Sequence, residues 1–323
     1  MDPEAARELK AHILERLPAA FEAKASNAPP EEAVFWPWVA VGLSPTGSGD
    51  ARVAVRLQRD ADRALLPDLG RAASAEVDVR VIGPVRLLSS PSPAGLQRRV
   101  RPLRPGLSVA HFSVTAGTIG GFVQTPTGLA MLSNNHVLAA SNGATVGDPI
   151  LQPGPADGGG AGDRVATLAA FQRLDAGTAN LVDAAVATLD EGVDANPGDL
   201  PGGPLLGSVP SGLDLDPDET VEKVGRTTGR TVGRVTAVEV DAVAVGYGEA
   251  VYRFDDQIEI EGRPGAFSAG GDSGSVIWRS RDRAPIGLLF AGSETGGSRG
   301  TGLTFANPLA TVLTTLGVEW TAG

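Results

Sequence analysis

Apolar residues recur at every fourth position near the start of the chain. Leu9, Ile13, Leu17 and Phe21 would form one stripe along a helix over residues 2–24. Asp2 suits its N-cap and Pro3 its first turn. The pattern then shifts to short apolar runs. Residues 39–43 and 52–57 predict two strands joined by the turn Ser44-Pro45-Thr46-Gly47-Ser48-Gly49-Asp50, and the alternation Val77-Asp78-Val79-Arg80-Val81 predicts a third. Asp60 to Ala73 reads as a helix. These elements together predict a small N-terminal α/β domain over residues 1–95. Arginines and prolines dominate the next stretch, including Gln97-Arg98-Arg99-Val100-Arg101. Residues 96–107 therefore read as a solvated linker, with a processing site at the arginines as the alternative.

From residue 108 the texture is different. Short apolar runs alternate with Gly-rich turns about every ten residues, a mainly β signature. Thr118 to Val123, Leu129 to Ser133, Val182 to Leu189, Val232 to Val245, Ser275 to Trp278 and Ile286 to Ala291 are the clearest strands. Two packed β-barrels and a sandwich both fit. Pro153 to Asp163 reads as an exposed loop.

Composition narrows the chemistry. The 43 glycines and 24 prolines fit a turn-rich β protein better than a helical bundle. A formal net charge of −11 argues against a nucleic-acid groove. With no cysteine, disulfides, thiolate ligands and cysteine nucleophiles are excluded. Three scattered histidines give no zinc pattern, so neither metal nor cofactor is expected. Gly225 to Gly233 lacks the spacing and the lysine of a phosphate loop, and reads as a hairpin. The first residues lack a signal-peptide layout, and no apolar run is long enough to span a bilayer. The expectation is a cytoplasmic protein without a membrane partner.

The segment Gly270-Gly271-Asp272-Ser273-Gly274-Ser275 presents one serine on a Gly-rich turn before an apolar strand. A serine needs a general base to attack a carbonyl at neutral pH. The histidines are His12, His111 and His136. His12 falls on the first helix and His111 at a strand start, which leaves His136 in Ser133-Asn134-Asn135-His136-Val137. No histidine follows Ser273, which excludes the chain order of α/β-hydrolases. The order His, Asp, Ser remains and requires an acid between the two. Asp183, opening the apolar run to Leu189, is the first choice, with Asp175 and Asp190 as weaker ones.

On these motifs residues 108–323 resemble the chymotrypsin-fold, trypsin-like serine proteases of the PA clan, especially the bacterial branch. Ser133 to Val137 resembles the His motif of HtrA-type proteases, and Gly271-Asp272-Ser273-Gly274 the trypsin-type nucleophile motif. Val224 to Gly233 and Gly302 to Leu309 are similar to the hairpin and final strand of streptogrisin-like enzymes. The layout is also similar to Narrow-leaf-type trypsin-like proteins. The resemblance implies a double β-barrel behind the α/β domain. It implies a serine endopeptidase with His136 as general acid/base, Asp183 as orienting acid and Ser273 as nucleophile. The N–H groups of Gly271 and Ser273 would form the oxyanion hole, and a peptide or protein would be the substrate.

The specificity pocket would be built from Phe267 and Ser268 at its base and Phe290, Ala291 and Gly292 on its far wall. No carboxylate sits at the base, so small or apolar P1 side chains are expected over Arg or Lys. Phe267 filling the pocket would restrict cleavage. In the family Asp272 pairs with a new amino terminus or an internal basic group, and the internal partner is expected here. The alternative is a weak or inactive protease-fold scaffold. A regulatory partner or self-association would act through residues 1–95.

Overall fold

The computed structural model describes residues 1–25, 38–46, 49–67, 73, 75–86, 95–210 and 219–323. Parts of the expected turn (47–48), second helix (68–72) and N-terminal domain (26–37, 74 and 87–94) lie outside these, as does the side chain of Phe21. The chain opens with helix α1 (Pro3–Ala25) and strands β1 (Val39–Thr46), β2 (Asp50–Leu57) and β3 (Val77–Val81). The Asp2 carboxylate accepts the N–H groups of Glu4 and Ala5 at 3.1 and 3.0 Å, so the predicted N-cap is in place. Ala6, Ile13 and Leu17 are buried from the predicted face. Of the predicted second helix, residues Asp60–Leu65 form a 3-10 segment that ends before Leu66.

The first barrel follows: β4 (Ser108–His111), β5 (Gly117–Thr118), β6 (Gly121–Thr125), β7 (Gly128–Ser133), the single-turn helix α2 (Asn135–Leu138), β8 (Pro149–Leu151), β9 (Arg164–Phe171), the short β10 (Ala179–Asn180) and β11 (Ala185–Leu189). The second contains β12 (Thr220–Gly225), β13 (Gly229–Asp241), β14 (Val243–Tyr247), β15 (Ala250–Phe254), β16 (Gln257–Gly262), β17 (Val276–Arg279), β18 (Pro285–Gly292) and β19 (Leu303–Pro308). Helix α3 (Leu309–Leu316) and β20 (Glu319–Thr321) end the chain. The protein is mainly β; of the two expected barrels the second is closed, and the first is an open sheet that forms a half-barrel. In the second, β12-β17-β18-β19-β16-β13 closes on itself through β12–β13, giving six antiparallel strands. That β12–β13 pair is the hairpin expected at Gly225 to Gly233. The first is a sheet in the order β6-β7-β11-β9-β8-β4-β5, with β20 returning to pair with β6.

The N-terminal elements join this architecture instead of standing apart. Strand β1 pairs antiparallel with the far end of β13, Val41 opposite Asp241 and Leu43 opposite Val238, so β1, β2 and β3 extend the sheet of the second barrel. The physical reason lies in β1 itself. Val39-Ala40-Val41-Gly42-Leu43 is apolar without alternation and buried throughout, the mark of a strand covered on both faces. Ile13 and Leu17 of α1 belong to the same apolar cluster as Val235, Ile258, Ile260 and Ile277 of the barrel. Fully burying one such side chain is worth about 1.5–3 kcal/mol. Buried Arg56 on β2 reaches Glu259 on β16 at 2.8 Å and Asp78 on β3 at 3.2 Å. Thr236 donates to the other oxygen of Glu259 at 2.7 Å. Such charges are tolerated inside because they are paired.

The solvated linker expected at 96–107 is corrected. Leu103 and Leu107 are fully buried, and Leu103 exchanges hydrogen bonds with Asp194 (2.8 Å) and Asn196 (2.7 Å). Despite its arginines, the segment is anchored to the first barrel by Leu96, Leu103 and Leu107. The loop at 153–163 is also not simply exposed. Asp157 accepts Ser108 Oγ at 2.5 Å and is paired with Arg226 of the second barrel, Nε at 2.7 Å and Nη2 at 2.5 Å.

Helix α1 is clamped at β13 by Arg7–Glu239 at 2.7 Å and Lys10–Asp241 at 2.9 Å. The Arg7 hydrogen bond holds the Glu239 carboxyl below its usual range, against the opposing effect of burial. A depressed carboxyl stabilises the fold fully above the ordinary glutamate value of about 4.3, and loses that contribution as pH falls through the lowered folded value. Arg7 is half exposed, so screening keeps the gain below about 1 kcal/mol. Thermal unfolding of the Arg7→Ala variant should show a lower Tm than wild type at pH 7, and the gap should close in acid below pH 4. A gap of the same size at all pH would show that the pair contributes nothing.

Candidate active site

Strand β7 delivers Ser133 and Asn134 to the barrel junction, and the single turn α2 turns His136 inward. His136 Nδ1 lies 2.5 Å from Asp183 Oδ2, and the His136 backbone N–H donates to Asp183 Oδ1 at 3.2 Å. Asp183 is fully buried, and His136 is 8 % exposed. A carboxylate at Nδ1 selects the tautomer with Nδ1 protonated and leaves Nε2 as an acceptor.

Asp183 is held from all sides. Tyr247, on β14 of the second barrel, donates its hydroxyl to Asp183 Oδ2 at 2.6 Å. Burial first, and then the Asp183 charge, push the Tyr247 phenol well above its usual range, so it is a fixed neutral donor. Asn134 Nδ2 donates to the Asp183 carbonyl at 2.7 Å, and the Asp183 N–H donates to Asn307 Oδ1 at 2.9 Å. Asn307 donates in turn to Gln257 Oε1 at 2.6 Å. The alternatives behave as loop groups. Asp175 Oδ1 accepts the N–H of Gly177, and Asp190 pairs with Arg164.

Ser273 comes from the turn between β16 and β17. Its hydroxyl donates to the Phe290 carbonyl at 3.4 Å, and no hydrogen bond joins it to His136. The turn nonetheless abuts the His motif. The Ser273 carbonyl accepts the Thr118 N–H at 2.9 Å, and Ser133 Oγ donates to the Thr118 carbonyl at 2.8 Å. Gly274 has φ of +94°, and a Cβ there would lie 2.1 Å from Ser133 Oγ, so only glycine fits between the barrels. The N–H groups of Asp272, Gly274 and Ser275 are bonded to Ala269, Leu289 and Asp272. Those of Gly271 and Ser273 have no protein partner among the described residues. Gly271 has φ of +90°, and a Cβ there would meet Arg226 Nη1 at 2.5 Å.

Asp272 points away from the site into a buried nest. Its oxygens accept the N–H groups of Thr227 (2.8 Å), Thr228 (3.1 Å) and Ala269 (3.0 Å) and the Thr228 hydroxyl (2.6 Å). Lys223 Nζ lies 3.0 Å away, and both side chains are fully buried. Burial pushes the Lys223 ammonium down, opposed by the Asp272 charge. Lys223 is thus the internal basic partner, supplied by β12.

The residues expected to form a pocket separate into two places. Phe267 belongs to the barrel's apolar cluster with Val235, Ile260 and Ile277, its ring beneath Lys223. Ser268 shares a 2.7 Å hydrogen bond with Thr304. Phe290 packs on Phe254 with ring centroids 4.6 Å apart, and it clusters with Ala291, Ile82 and Val85. Gly292 is paired with Arg86. A cavity of about 730 Å³, lined by Asn142, Arg173, Asp175, Asn180 and Tyr252 among others, includes none of the five. His12 is exposed as expected, and His111, which ends β4 instead of starting a strand, is buried between Ser113 and Asp148.

Sequence reasoning missed Tyr247, Asn307 and Gln257. Tyr247 and Gln257 sit singly in strands with no motif around them, although Tyr247 is one of only two tyrosines, and Asn307 lies in the Gly302 to Leu309 motif, which gave it no role.

No family model and no curated protein matches the chain. Solved structures do align with it. Thermobifida fusca protease A aligns over 68% of this chain and 99% of its own, at 16% identity and a TM-score of 0.47. The chymotrypsin of Cellulomonas bogoriensis aligns over 68% and 99%, at 19% identity and 0.46. A glutamic acid-specific serine protease aligns over 68% and 100%, at 19% and 0.49.

Proposed function

We propose that the chain is a serine endopeptidase that cleaves peptide bonds through an acyl-enzyme. The observation that carries this reading is His136 Nδ1 at 2.5 Å from the fully buried Asp183, at the junction that also receives the Ser273 turn. In the free enzyme the nucleophile's hydrogen bond to its base is commonly loose and tightens with substrate. Rotation of the Ser273 side chain away from Phe290 would direct its hydroxyl to His136 Nε2.

Ser273 Oγ attacks the scissile carbonyl carbon while His136 takes its proton. Asp183 stabilises the imidazolium, and Tyr247 with the His136 N–H keeps that carboxylate oriented. The tetrahedral oxyanion is received by the N–H groups of Gly271 and Ser273, which have no partner among the described residues. One such donor is worth about 2.7–4 kcal/mol in the transition state. His136 then protonates the leaving amine, and water releases the acyl group by the same steps reversed. Phe267 lies in the barrel core and Ser268 is bonded to Thr304, so neither offers a carboxylate that would favour Arg or Lys at P1.

A fluorophosphonate probe applied to the full chain should label the wild type and leave Ser273→Ala unlabelled. A folded wild type that stays unlabelled would rule the reading out. It would favour a binding protein on the same scaffold, the reading to which the Ser273–Phe290 hydrogen bond lends support.

A further inference from the structure

An extended peptide whose carbonyl carbon reaches Ser273 must run along the edge of β18, because Phe290 of that strand already contacts the Ser273 hydroxyl. Main-chain pairing to an exposed sheet edge is the general way such a peptide is held. Along a strand, the N–H and C=O groups of alternate residues face the same edge. The next groups available to the peptide after the Phe290 carbonyl are therefore those of Gly292.

Those groups are occupied by the chain itself. Arg86 N–H donates to the Gly292 carbonyl at 3.0 Å, and Gly292 N–H donates to the Arg86 carbonyl at 3.3 Å, an antiparallel bridge. On its other side the segment meets β14, where Gly246 N–H approaches the Val85 carbonyl at 3.4 Å. Gln58 fixes it further, accepting the Val85 N–H at 2.9 Å and donating to the Ala244 carbonyl at 2.7 Å. Ile82 and Val85 are buried in the cluster with Phe290 and Ala291. Arg86 itself is exposed. The antiparallel sense of the Arg86–Gly292 bridge gives residues 82–86 the direction, from Gly292 toward Phe290, in which the acyl side of a substrate runs.

We infer that residues 82–86 are a built-in substrate strand. They hold the position of the peptide backbone upstream of the scissile bond, so the full chain is latent toward extended peptides until that strand is displaced. This rests on the proteolytic reading of the same site. It ties the N-terminal elements to the barrel as a gate on access and leaves the nucleophile and its base intact beneath.

The test uses the full chain and two substrates, a single-residue ester of an apolar amino acid and a peptide amide with four residues before the scissile bond. Arg86→Pro removes the N–H that reaches Gly292 at an exposed position. It should raise kcat/KM for the peptide at least tenfold and change that for the ester less than twofold. Gln58→Ala, which loosens Val85 from a different direction, should raise the same ratio. Loss of amide-exchange protection at Gly292 in both variants should accompany the gain. A Ser273 that reacts with the fluorophosphonate probe while both variants keep the wild-type ratio overturns this inference alone. A Ser273 unreactive in all three proteins overturns the proteolytic reading, and the inference with it.

Discussion

Replacing Asp183 with asparagine is expected to slow fluorophosphonate labelling of Ser273 about 10⁴-fold, the scale seen when a catalytic histidine loses its carboxylate. The reason lies in the donors around this side chain. Oδ2 takes His136 Nδ1 and the Tyr247 hydroxyl, and Oδ1 takes the His136 backbone N–H. If the amide oxygen stays at the Oδ2 position, the amide N–H₂ faces the His136 N–H, donor against donor. If it swaps, the amide donates to Nδ1 and forces the imidazole into the tautomer whose Nε2 carries a proton and cannot accept one from Ser273. Either way the negative charge that steadies the imidazolium is gone. The side chain stays nearly isosteric, so the fold should survive, which circular dichroism and Tm would check. Labelling within tenfold of wild type would exclude Asp183 from the mechanism.

The second large effect is expected from Lys223→Met. The pair with Asp272 is fully buried, and removing one partner leaves an uncompensated charge inside. Such a break costs about 3–5 kcal/mol. Three backbone N–H groups and the Thr228 hydroxyl still hold the Asp272 carboxylate, which places the loss toward the lower end, about 3 kcal/mol. Denaturant unfolding measures it directly. Asp272→Asn added to Lys223→Met should recover part of the loss, because the charge left behind is then removed. If the double variant is no more stable than Lys223→Met, the stranded charge is not the cause. Asp272 also fixes the turn that carries the N–H groups of Gly271 and Ser273, so the single variant should lose labelling rate along with stability.

The candidate site was legible in the sequence because its chemistry is scarce there. With three histidines and none beyond Ser273, chain order excluded the α/β-hydrolase arrangement, and the placement of His12 and His111 left His136, with a carboxylate required between it and Ser273. The need for an internal partner for Asp272 was legible too, but its identity was not. Lys223 lies in Val221-Glu222-Lys223-Val224, where nothing distinguishes a buried ammonium from a solvated one. Spacing located Phe267 relative to Ser273, yet it carries no information on which way a side chain points, and this one turns into the barrel core. The strands at 39–57 were readable from their apolar runs. Their partner was not, because β13 lies nearly two hundred residues away and periodicity names no partner. The uninterrupted run Val39 to Leu43 was the available clue that this strand would be covered on both sides.

The union of β1 with β13 decides what a nick in the backbone would do. A cut anywhere between Arg86 and Leu96 would not release the first 86 residues. They would remain attached through the continuous sheet, the cluster shared by Ile13, Leu17 and Ile260, and the Arg56–Glu259 pair. The product would be a two-fragment molecule that travels as one particle under native conditions and separates only in denaturant. Processing of this chain would therefore alter how tightly one short strand is tethered, with no change in the mass of the folded particle.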